Sequence, residues 1–368
     1  MARLGDICEI LDSKRVPITA SNRKSGIYPY YGANGVQDYV DDYIFDDELV
    51  LLAEDGGHFG STDKPIAYRV SGKCWVNNHA HVLKPKDGLN VDYLCYSLMF
   101  RNVSNIVNGA TRQKLTQADM REIDIPLLSL KEQGMIVKRL NKIFDLISLR
   151  KQQLSKLDEL VKSRFIEMFG DPLYNIKNWN TDTVENLCSN IYGGGTPSKS
   201  HPEYYENGDI PWVSSKDMKT DVLYDCQIRI NQLGVDNSTA KLVPINSVIM
   251  VIRSGILKHT LPVAINAVPI TVNQDLKVFI PSNQILSVFL MYQFKMLEKD
   301  ILSGVRAVTA DNIEFNSLKE RMIIVPPIEL QNQFATFVEQ TDKLKFEVKE
   351  ALEKLETLKK ALMQQYFG

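Results

Sequence analysis

Cysteine is sparse in this chain of 368 residues. Its five cysteines (Cys8, Cys74, Cys95, Cys188, Cys226) are scattered, odd in number and without a C-x-x-C pair. That excludes a disulfide framework and a zinc cluster and leaves them as small apolar core residues. Long apolar runs are missing too. The longest compact one, Val248-Ile249-Met250-Val251-Ile252, reads as a buried strand and excludes a membrane span. The first residues, Met1-Ala2-Arg3-Leu4-Gly5-Asp6, have no signal-peptide apolar core, so a cytoplasmic location is expected. Histidines are few and unclustered except for His79 and His81, which a strand places on one face as packing residues. No segment has the strong basic excess of a protein that grips nucleic acid unaided. Residues 1–128 carry a net −3, 129–170 +4, 171–327 −2 and 328–368 −1.

Catalytic constellations are absent as well, so the chain itself is expected to be no enzyme and to hold no cofactor or metal. Asp171-Pro172-Leu173-Tyr174 resembles the D-P-P-Y motif of adenine methyltransferases, but lacks the second proline and any F-x-G-x-G loop. Gly72-Lys73 has no glycine at P-loop spacing. Gly193-Gly194-Gly195-Thr196-Pro197 opens a loop rather than the helix of a dinucleotide site. There is no H-E-x-x-H and no triad phrase.

What the chain does have is helical periodicity in two places. Stepping four and three residues from Ile136 gives Ile136, Leu140, Ile143, Ile147, Arg150, Leu154, Leu157, Val161, Arg164 and Met168. From Phe334, three then four, the positions are Phe334, Phe337, Thr341, Leu344, Val348, Ala351, Leu355, Leu358, Leu362 and Gln365. Each is a coiled-coil seam, because a 3.5-residue spacing keeps one stripe facing a partner. Ser129-Leu130-Lys131-Glu132 is a capping box that starts the first helix, and Gly170 with Pro172 ends it. At 1.5 Å per residue, about 40 residues make a rod of roughly 60 Å.

The chain also repeats itself. Leu4-Gly5-Asp6-Ile7-Cys8 is echoed by Val184-Glu185-Asn186-Leu187-Cys188, and Leu49 to Gly56 by Val248 to Gly255. Gly304-Val305-Arg306 echoes Gly109 to Arg112, and Gln333 echoes Gln133. The expected fold is α+β: two tandem β-rich α/β domains separated by a pair of long antiparallel coiled-coil helices, with pseudo-two-fold symmetry. The expected segments are 1–128 (first domain), 129–170 (central spacer helix), 171–327 (second domain) and 328–368 (C-terminal spacer helix).

Together these features resemble the specificity (S) subunits of type I restriction–modification systems. The resemblance rests on the duplication, on Ala110-Thr111-Arg112-Gln113-Lys114-Leu115-Thr116 leading to Ile123-Asp124-Ile125-Pro126-Leu127 and Leu130-Lys131-Glu132-Gln133, on Ile210-Pro211-Trp212-Val213, and on Val248 to Gly255. It covers essentially the whole chain. It implies two target recognition domains, each reading one half of a bipartite double-stranded DNA site, with helices that set the gap. It further implies two modification (methyltransferase) subunits that carry the S-adenosylmethionine chemistry, and restriction subunits that cleave. The second copy departs from the pattern at Gly304-Val305-Arg306-Ala307 and Asn332-Gln333.

Direct readout of DNA needs Arg, Lys, Asn or Gln at base edges and polar groups on phosphates. Thr111, Arg112, Gln113 and Lys114 are the candidates in the first domain. In the second they are Thr196, Ser198, Lys199, Arg253, Ser254, Lys258, His259 and Arg306. A coiled-coil structural adaptor and a stand-alone DNA-modifying enzyme are the competing readings; the donor-rich loops argue against the first and the missing motifs against the second. Arg150 and Arg164 stand at seam positions, where they either pair with groups on the second helix or lie on a solvent-exposed edge.

Overall fold

The computed structural model describes residues 1–109, 113–307 and 311–368. The chain divides into two compact units, one of Met1–Gln153 with Val348–Gly368 and one of Leu154–Glu347. No helix among the described residues is long and apolar enough to cross a membrane.

In the first unit six strands form one sheet: β1 (Cys8–Ile10), β2 (Ser25–Gly32), β3 (Gly35–Val40), β4 (Phe45–Ala53), β5 (Ala67–Val76) and β6 (Ala80–Pro85), in the order β1-β6-β4-β5-β2-β3. Strand β4 lies inside it, and its alternation explains why. Val50 and Leu52 join the core that holds Leu94 and Leu98 of the helix Val91–Met99, whereas Leu49 and Leu51 join Leu11, Val70 and Val82 on the other face. Both faces of its Leu49–Ala53 half are covered, so that half is an unbroken apolar run, while Asp46, Asp47 and Glu48 before it are not fully buried.

The second unit is built likewise. Strands β7 (Cys188–Gly193), β8 (Val222–Leu223), β9 (Val248–Val251), β10 (Val263–Asn266) and β11 (Leu276–Pro281) stand in the order β7-β11-β9-β10-β8. All four residues of β9 are buried, as the apolar run predicts.

Two helices of 40 residues each, α1 (Leu130–Phe169) and α2 (Ile328–Phe367), contribute to both units. The capping box is formed: the Glu132 carboxylate accepts from the Ser129 amide at 3.0 Å and the Glu132 amide donates back to Ser129 Oγ at 3.4 Å. Helix α1 ends at Gly170, whose φ of 77° is the left-handed value that glycine adopts freely. Within the first unit Arg139 meets Tyr366 and Lys151 meets Glu356; within the second, Asp158 meets Lys345 and Phe165 packs on Phe334. In each unit the numbers rise along one helix as they fall along the other, so the pairing is antiparallel.

Hydrogen bonds fix the register of the duplication, and it differs from the sequence expectation. Gln133, fully buried, accepts from the Asn90 amide and donates to the carbonyls of Gly88 and Leu128. Its counterpart is Gln331, not Gln333: Gln331 accepts from the Leu286 amide and donates to the carbonyls of Gln284 and Pro326. The offset of 198 positions recurs. Leu115 N–H donates to Glu54 O, and Ile313 N–H to Ile252 O; Gly56 N–H donates to Gln113 O, and Ser254 N–H to Asp311 O. Asn108 bridges to Lys114 as Arg306 does to Asn312, so Arg306 stands in the place of Asn108 and not of Arg112.

The same offset corrects the second seam. Leu344 and Leu358 are about half exposed, and the stripe runs instead through Phe334, Val338, Thr341, Lys345, Val348, Leu352, Leu355, Lys359 and Leu362. Cations alternate along it. Arg150 and Arg164 of α1 correspond to Val348 and Leu362, while Lys345 and Lys359 of α2 correspond to Ile147 and Val161. Both arginines bond along their own helix, Arg150 to Gln153 and Arg164 to Glu167, and the Arg164 guanidinium also lies 5.8 Å from the Phe337 ring centroid of α2. Arg164 thus does meet a group of the second helix, an aromatic ring, while the hydrogen bond of Arg150 stays on its own helix.

Candidate nucleic-acid interface

In the first unit Thr111 and Arg112 lie outside the described residues. Gln113 and Lys114 are exposed and follow on, with Lys114 anchored by reciprocal backbone hydrogen bonds to Asn108 at 2.7 and 2.9 Å. Beneath them is a polar network that sequence reasoning missed. Arg15 donates to Glu54 at 2.5 Å and to the Ala80 carbonyl at 2.7 Å, and Lys114 Nζ stands 2.8 Å from Glu54. His81, 1% exposed, places Nδ1 2.6 Å from Asp12 and Nε2 2.9 Å from the Leu115 carbonyl. Asp12 also accepts from the Val82 amide and from Gln117.

Burial alone would raise the Asp12 carboxyl, but the hydrogen bond and charge of His81, with Val82 and Gln117, bring it below its ordinary value. Glu54 is likewise raised by burial and brought below its ordinary value by Lys114 and Arg15. Asp12, Glu54 and His81 stand close enough to hold a metal ion. Yet both nitrogens of His81 face oxygen acceptors, and Arg15 and Lys114 already supply positive charge. The residues fit an internal clamp that fixes the Leu115 end of the loop better than a metal centre.

In the second unit two of the three glycines are required by a close approach to backbone. A Cβ at Gly194 would strike the Val272 carbonyl, one at Gly195 would strike Thr239, and one at Gly193 would lie 2.7 Å from Lys277 Nζ. The turn carries Thr196, whose hydroxyl bonds Gln274, then Ser198 paired with Ser200 at 2.6 Å, then exposed Lys199. Arg253 follows β9 and is held by Asp275 at 2.6 Å. Ser254 caps the turn Gly255–Lys258, Lys258 reaches only to 3.9 Å from Asp311, and His259 is exposed. The backbone of Arg306 pairs with Asn312, directly before Ile313, which bonds Ile252. The structure thus gathers Thr196, Arg253, Ser254, Lys258 and the Arg306 strand about the ends of β7, β9 and β11; Ser198 and Lys199 stand further along the turn.

The clamp has no copy in this second unit. His81 pairs with Leu52, and Lys277 pairs with Met250, the residue that the 198 offset equates with Leu52. Lys277 thus takes the place of His81, Gly193 faces it where Asp12 faces His81, and Phe315 replaces Gln117. Lys277 Nζ stands 4.4 Å from the Phe315 ring centroid. Burial holds its amine below the usual lysine value. A single lysine in the otherwise apolar strand Leu276–Pro281 was the sequence signal available for it.

One frame used twice, carrying different polar surfaces at the same strand ends, defines a duplicated recognition scaffold. The chain belongs to the family described as the type I restriction modification DNA specificity domain, whose pattern matches residues 1–159 and 176–359. It is similar to a Haemophilus influenzae chain described as a type I restriction enzyme specificity subunit, with 28% identity over 95% of this chain and 89% of the relative. An Escherichia coli type I specificity subunit is 32% identical over 256 residues, 66% of this chain and 60% of the relative. The solved S subunit from M. genitalium shares the fold, with a TM-score of 0.58 and 15% identity over 100% of this chain and 95% of that one.

Proposed function

We propose that the chain is the non-catalytic DNA sequence-recognition subunit of a type I restriction–modification complex. Residues 1–128 and 171–327 serve as the two target recognition domains, each reading one half of a bipartite duplex site, and 129–170 with 328–368 set the gap. Two modification subunits dock on this chain and bring S-adenosylmethionine and methyl transfer; restriction subunits add cleavage, and the assembly works in the cytoplasm. The observation that carries this reading is the 198-residue offset that relates the paired loop, glutamine and helix positions. It holds from the loop through the buried glutamine to the helices, while the polar residues presented on the two copies differ. Two related frames with unlike reading surfaces suit a ligand with two unlike halves.

Both domains are net acidic, so phosphate neutralisation by this chain alone is modest and tight binding requires basic surface on partner subunits. Mapping methylated adenines across the genome with the gene intact and deleted is expected to reveal one split motif that vanishes on deletion. A gel-shift titration with a duplex carrying that motif is expected to show weak binding by the chain alone and tight binding with two modification subunits. Equal affinity in both arms would overturn the proposed dependence on the partners, and a methylation pattern unchanged by deletion would overturn the function.

A further inference from the structure

Three of the candidate cations that the sequence singles out come with carboxylates of their own: Lys114 with Glu54, Arg253 with Asp275, and Lys258 loosely with Asp311. Lys277 does not. Among the described residues no carboxylate or carbonyl stands within ion-pair or hydrogen-bond distance of its Nζ, and its recorded partner is the Phe315 ring. The neighbouring Lys319, 5.9 Å from the same ring, is neutralised by Glu185. Lys277 is also half-buried, so water replaces only part of its missing solvation.

The surroundings let this amine lie against the neighbouring strand. Gly193, paired with Lys277 across the sheet, has no side chain, and any Cβ there would displace Nζ. Gln274 and Asp275, just before Lys277 in the chain, hold Thr196 and Arg253. In the first unit the same place carries His81, hydrogen-bonded to Asp12.

Resting on the recognition function proposed above, we infer that Lys277, seated between Gly193 and Phe315, contacts a backbone phosphate of the DNA half-site read by the second domain. A phosphate fits better than a base edge, because the amine is recessed near a strand end and held over the Phe315 ring. A phosphate oxygen projects from the duplex toward such a site, whereas a base edge requires a side chain extended into the groove. The first domain, with its clamp, makes no equivalent contact.

The test uses the full chain assembled with its modification subunits and a duplex carrying the mapped motif, comparing wild type, Lys277→Gln and Lys277→Met. Sequence-specific binding by wild type tests the recognition reading itself, and its failure sinks that reading before any variant is considered. With wild type binding, the expected result is that Lys277→Gln weakens binding to every permutation of the half-site alike. The slope of log affinity on log salt falls by about 0.9, the value of one phosphate contact. Lys277→Met is expected to keep or raise the melting temperature, since it removes a poorly solvated cation. An unchanged salt slope, a relaxed preference at one base pair, or a fall in the melting temperature of Lys277→Met would each overturn the inference.

Discussion

At the residue scale, the buried glutamines are the firmest marks of the fold. Each bonds three backbone groups, joining the start of a long helix to the segment before a shorter one. Gln133→Leu and Gln331→Leu are each expected to cost about 3 kcal/mol, because buried donors and acceptors lose their partners. Gln333→Leu, at an exposed position, is expected to change stability by under about 0.5 kcal/mol. Chemical denaturation of the three variants checks the assignment, and equal losses at 331 and 333 would refute the register. Sequence similarity favours Gln333 because it lies three residues after Leu330, as Gln133 lies three after Leu130. Only the direction of the amide decides, and a sequence does not carry directions.

The acid clamp makes a second residue-scale prediction. Asp12 and Glu54 are held below their ordinary values of 3.8 and 4.5. Their stabilisation of the first unit is therefore complete above about pH 4.5 and is lost as pH falls through the lowered values. Asp12→Asn is expected to flatten this part of the acid unfolding curve. Trp75, whose indole donates to the Val16 carbonyl in that unit, reports it in a background with Trp179 and Trp212 replaced by Phe. An acid curve unchanged by Asp12→Asn would show that the carboxylate is not held as described. None of this cluster was legible beforehand, since Asp12 with Arg15, Glu54, and His81 lie on three separate stretches that only the fold brings together.

At the scale of elements, the helices were the most readable part of the chain. Long periodic segments with a capping box at one end and glycine at the other leave little freedom in placing their ends. Ser129→Ala is expected to destabilise by about 1 kcal/mol, measured by denaturant titration, because the hydroxyl that accepts from the Glu132 amide and donates to its carboxylate is removed. The phase of the second seam was harder. Alternating steps of three and four can begin on either step, and the phase that admitted Leu344 and Leu358 looked more apolar than the true one. The true seam contains Lys345 and Lys359, whose stems pack while Asp158 and Glu356 hold their amines. A hydrophobicity count penalises such lysines although the folded protein accommodates them.

At the scale of the whole molecule, the equal lengths of the two helices bear on the proposed spacing of the half-sites. Adding one heptad to both, in register, is expected to lengthen the unread gap by about three base pairs, from 1.5 Å per residue and 3.4 Å per base pair. Methylation mapping would then return the same two half-sites farther apart. A changed half-site would count against a spacer role for α1 and α2.

The alternating cations of the seam have a consequence for kinship between the halves. Each half has drifted to suit its sibling rather than itself. Two copies of the first half would bring Arg150 and Arg164 from both chains into one seam, with Ile147 where Asp158 needs its lysine. Fragments 1–170 and 171–368, expressed from separate genes, are accordingly expected to marry each other in preference to their own kind. Mass measurement of a mixed sample would show it, and an even spread of like and unlike pairs would show the opposite. A doubled gene has here become a matched couple whose members have stopped being interchangeable.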